Sequence, residues 1–145
     1  IEDEFDVAEE DGNIFGLGQN TDKKPNYPSA YTSENIIAVA SLTKKGAKSG
    51  FSNFGLVSVD IGAPGSAIWS TVPKMVNGVL TPSYAAYDGT SMATPHVTGA
   101  AAYYASRHPG STAAQIKAGI LGSAVPTTSM AGKTVTGGRL DVSGY

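Results

Sequence analysis

Residues 89–101, Gly-Thr-Ser-Met-Ala-Thr-Pro-His-Val-Thr-Gly-Ala-Ala, constrain this chain more than any other stretch. Gly89 permits a tight turn. Ser91 follows where a helix can begin, and small and apolar residues continue to about Ser106. A helix so rich in Ala and Gly has little bulk and suits close packing inside an α/β domain. Pro95 lies within the first turn or so, where a missing N–H costs little. Ser91 therefore falls at a helix N-terminus, where backbone N–H groups lack internal partners and the dipole favours negative charge. A serine there has two readings. It is an N-cap, or it is a nucleophile that attacks a carbonyl while nearby N–H groups hold the oxyanion.

The elements around it read as a partial α/β domain. Residues 36–41 are a continuous apolar run and predict a strand buried on both faces, as in parallel sheets. Residues 57–61 alternate and predict a second strand, broken at residues 63–65. Residues 67–71 are a third extended piece. Residues 73–82 read as a loop, with a possible hairpin turn at Asn77-Gly78. Pro109-Gly110 stops the long helix. Thr112 and Gln115 form a capping box opening a second helix over residues 113–121, with Gly122 as its C-cap. Residues 127–138 read as a polar loop and residues 139–142 as a final extended piece.

Charge divides the chain. Seven of its twelve acidic residues fall within residues 1–11, which hold no base and read as an acidic N-terminal arm. Residues 12–145 form the folded portion. The ten Lys and Arg residues are scattered, with no basic stripe interleaved with aromatics, which argues against a nucleic-acid partner. The absence of cysteine excludes disulfides and thiolate metal sites. No apolar run approaches the roughly 20 residues of a membrane span.

The thirteen residues around Ser91 closely resemble the nucleophile segment of subtilisin-like serine proteases. The resemblance continues through Tyr27-Pro28-Ser29-Ala30-Tyr31, Ile36-Ile37-Ala38-Val39-Ala40 and Phe51-Ser52-Asn53-Phe54-Gly55. It also takes in residues 59–65, residues 70–73, His108-Pro109 and residues 138–142. It covers about residues 12–142 and corresponds to the C-terminal part of that catalytic domain. It implies a three-layer fold with a mostly parallel sheet and flanking helices. It also implies peptide-bond hydrolysis through an acyl-enzyme on Ser91, a polypeptide substrate, a secreted or extracytoplasmic location, and a cis Tyr27-Pro28 bond.

A serine nucleophile needs a base, usually a His oriented by a carboxylate. The family carries that Asp and His in Asp-Thr/Ser-Gly and His-Gly-Thr motifs upstream of the matched region, and neither motif occurs here. Activity then requires an N-terminal segment that supplies both. His96 lies about 140° around the helix from Ser91, and it reads as a packed or hydrogen-bonded helix residue. His108 reads as a partner of the last helical carbonyls. Asp22, Asp60, Asp88 and Asp141 read as structural.

The family's oxyanion-donating Asn follows a buried strand. Gly12-Asn13 is the best match, although Glu9, Glu10 and Asp11 precede it where an apolar strand would be expected. Ungapped counting from Tyr27-Pro28 points instead to Gly16, and Asn20 is a further candidate. Thr90 assists the oxyanion site by resemblance. No cofactor is required. No metal cluster is legible, but the family implies calcium as a structural ion, with residues 27–35 able to supply carbonyls. The rival reading is a non-catalytic relative that keeps the fold for binding.

Overall fold

The computed structural model describes residues 16–145. The expected acidic arm and Asn13 lie outside the described residues. Four strands form one sheet in the order β1-β2-β6-β5: β1 (Val39–Leu42), β2 (Ile61–Pro64), β6 (Gly138–Arg139) and β5 (Val125–Pro126). The β1–β2 and β2–β6 pairs are parallel and β5–β6 is antiparallel. Helix α1 (Thr90–Arg107) packs on β1 and β2, and α2 (Ala113–Gly122) packs on α1. The architecture is the expected α/β class with a mostly parallel sheet and flanking helices.

Strand alternation divides the core. Ile37, Val39, Ile61 and Ala63 meet Ala93 and Val97 of α1 and Ile120 of α2. Ala40, Leu42 and Val59 pack in a second cluster with Met130, the last residue of the short 3₁₀ turn Thr128–Met130. Each fully buried Val, Ile or Met contributes roughly 1.5–3 kcal/mol over an exposed one. The small residues of α1 do what their size suggests: Ala93 and Ala100 are buried and let the helix axis approach the sheet.

Several expected boundaries move. The first strand begins at Val39, not Ile36, because Ala38 is tied to Asp60 instead. The Asp60 carboxylate accepts the Ala38 N–H at 2.9 Å, and the Ala38 carbonyl accepts the Asp60 N–H at 2.9 Å. Residues 57–60 are not strand. A carboxylate acts there as a turn template, since Asp22 accepts the N–H groups of Leu56, Val57 and Ser58 at 2.7, 3.1 and 2.9 Å. It also accepts the Ser58 hydroxyl at 2.8 Å. β2 then runs through Ala63 and Pro64, where a break was expected.

Residues 73–82 are the largest difference. They are mostly strand, within a hairpin of β3 (Ile68–Val76) and β4 (Val79–Tyr87). Asn77 and Gly78 form its turn with φ 50° and 80°, the two positive values that a two-residue type I′ turn requires. Pro73 stands directly opposite Pro82. Trp69, Met75, Leu80 and Tyr84 are all exposed. On α2, Gly122 is helical and Ser123 is the C-cap, donating its N–H to the Gly119 carbonyl at 3.2 Å. The Thr112–Gln115 capping box is present in both directions. The Tyr27-Pro28 peptide is cis.

Candidate active site

The end of β2, the end of β4 and the start of α1 meet at one point. β2 leads into Gly65, whose carbonyl accepts the Gly89 N–H at 2.8 Å. The Asp88 carboxylate accepts the Ala67 N–H at 2.7 Å. That bond holds Ala67 at φ 56°, a left-handed conformation uncommon for a residue with a side chain. Gly89 itself has φ 158° and ψ 156°, a region open essentially to glycine alone. Below the turn, hydroxyls link Ser41 to Ser49 and Ser49 to Ser66, each at 2.8 Å.

Thr90 and Ser91 are the first two residues of α1. Thr90 is buried, with its carbonyl accepting the Thr94 hydroxyl at 3.1 Å, while Ser91 is exposed. The Gly89 carbonyl accepts the N–H groups of Met92 and Ala93 at 3.1 and 3.3 Å. Among the described residues no acceptor takes the Ser91 N–H. Helix start, unengaged amide and exposed hydroxyl therefore coincide on one residue. Such an amide is a ready donor for negative charge. The N-cap is Gly89, which has no side chain, and Ser91 stands two residues inside it, so its hydroxyl is not at the capping position.

Ser91 opens into a cavity of about 290 Å³, shared with Ile68, Ser70 and Tyr87 from the hairpin base and Met92, Pro95 and His96 from α1. His96 thus lines the same space as Ser91, which the helical angle alone did not suggest. Its Nδ1 is paired with the Met92 carbonyl at 2.9 Å. A carbonyl only accepts, so Nδ1 carries the proton. His108 pairs with the Tyr104 carbonyl at 3.1 Å and stacks on the Tyr104 ring. Both histidines therefore serve helix carbonyls. A larger cavity of about 550 Å³ lies between residues 29–36 and α2 and does not include Ser91.

Of the oxyanion candidates, Asn13 lies outside the described residues. The side chain of Asn20 accepts the Asp22 N–H at 3.0 Å, and Asn20 does not line the Ser91 cavity. Gly16, with φ 57°, carries no donor side chain. Among the described residues no three His, Cys, Asp or Glu side chains are grouped to hold a metal ion. The contributions of Gly65 and Asp88 to the turn escaped sequence reasoning. Both lie next to legible motifs, but the pairing of residues 65–67 with residues 88–89 has no sequence signal.

The model of the Subtilase family, peptidase S8, matches residues 11–142. Thermitase of Thermoactinomyces vulgaris is 47% identical over 107 residues, 74% of this chain and 34% of thermitase. Subtilisin E of Bacillus subtilis is 44% identical over 91 residues, 63% of this chain and 21% of that protein. A solved protease structure from Pseudoalteromonas arctica superposes with a TM-score of 0.74 at 25% identity, covering 86% of this chain and 38% of that one. The chain thus spans between 21% and 38% of these relatives' length. With a family match over nearly all its residues and the same backbone course as a solved protease, this chain belongs to the Subtilase family.

Proposed function

We propose that this chain is the nucleophile-bearing part of a subtilisin-like serine endopeptidase, with Ser91 as nucleophile. The observation that carries the proposal is the coincidence on one exposed residue, Ser91, of an unengaged amide at a helix start and a recess of about 290 Å³. In the reaction, Ser91 Oγ attacks the scissile carbonyl carbon and passes its proton to a His base. The carbonyl oxygen becomes an oxyanion facing the Ser91 N–H. Collapse expels the amine, which takes the proton from His, and leaves an acyl-enzyme that water hydrolyses.

An N-terminal segment of the same peptidase supplies the Asp and His, and Asn13 and Thr90 complete the oxyanion site. The substrate is a polypeptide. The protein acts outside the cytoplasm, as the name of a 51% identical relative, the Extracellular protease of Xanthomonas campestris, suggests. Among the described residues no helix is long and apolar enough to cross a membrane. A fluorophosphonate probe tests the proposal. Rapid labelling of Ser91 is expected only when the Asp- and His-bearing segment is present. Rapid labelling of the chain alone, or none in the completed protein, would sink it.

A further inference from the structure

The calcium that the family implies meets an obstacle at residues 27–35. Residues 29–34 of this segment line the larger cavity, together with Ile36, Asp60 and residues of α2. Lys117 reaches in from α2. Its ammonium donates to the Ile36 carbonyl and to Asp60 Oδ2, the latter at 3.3 Å. The same Asp60 Oδ2 accepts the Ala38 N–H at 2.9 Å. Both charged side chains are largely removed from water, Lys117 being 24% exposed and Asp60 15%.

Calcium would need six to eight oxygens. Two of the oxygens best placed here, one carbonyl and one carboxylate, already hold a positive charge delivered by the protein. Glu34 is the remaining carboxylate lining the cavity. A divalent ion would have to sit beside an ammonium or expel it from a desolvated pair, and separating such a pair leaves a charge buried without its partner. Ala114, Ala118 and Leu121 line the cavity beside Lys117, so the α2 side that bears the ammonium is otherwise apolar.

We infer that the Lys117 ammonium is the resident cation of this cavity and takes the place of a divalent metal in holding residues 27–36 against the sheet. The inference is independent of the role proposed for Ser91. It makes this part of the fold, including the turn after Tyr27-Pro28, indifferent to calcium. It also makes Lys117 removable in a specific sense: without the ammonium, the same oxygens become a vacant seat for an added cation.

The test is a calcium titration of the isotopically labelled chain, read at the backbone amides of residues 29–36 and of Asp60. In the wild-type chain those amides are expected not to move at millimolar calcium. In Lys117→Ala they are expected to shift saturably, with an affinity in the millimolar range or tighter, and calcium should restore part of the thermal stability the substitution removes. Should Lys117→Ala not fold, Lys117→Met, which keeps the apolar stem, takes its place. Saturable shifts at these amides in the wild-type chain would overturn the inference. So would a folded Lys117 variant whose amides ignore calcium. Shifts confined to other residues in the wild-type chain place any calcium elsewhere and support it.

Discussion

Gly65 lies directly beneath Gly89: it accepts the Gly89 N–H at 2.8 Å and has no room for a side chain. A Cβ on Gly65 would come within 2.4 Å of the Ser41 hydroxyl and 2.6 Å of the Gly89 carbonyl oxygen. The end of β2 therefore sets the position of the turn that presents Ser91. Gly65→Ala is expected to lose about 1–3 kcal/mol of stability, as overpacking does, and to slow fluorophosphonate labelling of Ser91 in the completed protein. Urea melts and labelling rates measure the two effects. Wild-type values for both would show that this contact does not fix the turn.

Ser91→Ala separates chemistry from architecture. Ser91 is exposed and lies inside the helix start, not at its Gly89 cap, so the substitution should change stability by no more than about 0.5 kcal/mol. Labelling and peptide hydrolysis in the completed protein should vanish. A large stability loss by thermal melting would mean that the serine is part of the scaffold instead.

Asp22 should leave a signature at acid pH. Burial pushes its carboxyl pKa up, but hydrogen bonds from the Ser58 hydroxyl and from the Val57, Ser58 and Leu56 amides outweigh that and hold it below the ordinary carboxylate value. In the window between its folded and unfolded pKa values the unfolded chain binds the extra proton. Stability therefore rises with pH across that window, is complete above the unfolded value, and is lost as pH falls through the folded one. Asp22→Asn should flatten this acid limb in chemical denaturation carried out at a series of pH values. At neutral pH it should cost about 1 kcal/mol, because an amide accepts fewer of the four bonds. An unchanged acid limb would show that other carboxylates set it.

The capping box gives a local test. Thr112 Oγ1 accepts the Gln115 N–H at 3.3 Å, and Gln115 Oε1 accepts the Thr112 N–H at 2.8 Å. Thr112→Ala should destabilise the chain by about 1 kcal/mol without altering the labelling of Ser91, since no residue of α2 lines the Ser91 cavity. Thermal melts and probe kinetics on the same sample check both parts.

What was legible in the sequence was local. The Ser91 helix, the second helix with its cap and the parallel-sheet class follow from periodicity, turn residues and a run of apolar residues, each written in neighbouring positions. What escaped was set by side chains acting at a distance. Asp22 turns residues 56–58 away from a strand that their alternation favours, and Asp60 captures Ala38 from the start of β1. The hairpin turn at Asn77-Gly78 was legible, but the length of its strands was hidden by Pro73 and Pro82, which read as loop in sequence and stand opposite each other in the ladder. The neighbourhood of Ser91 was half legible: its residue types stand in one motif, but the Gly65 and Asp88 contacts that fix its geometry bridge more than twenty positions.

That facing pair of prolines has a consequence for the molecule in solution. Across an antiparallel ladder, opposed residues alternate between pairs that exchange hydrogen bonds and pairs whose amides point outward. Val76 and Val79 flank the two-residue turn and form an exchanging pair, so Pro73 and Pro82, three steps away, occupy an outward-pointing one. Having no N–H, they interrupt the row of free donors along both margins of the arm at the same height. A stray strand from another molecule finds no continuous track to follow on either side. The arm holds Trp69, Leu80 and Tyr84 in open water without offering another strand an unbroken row of donors.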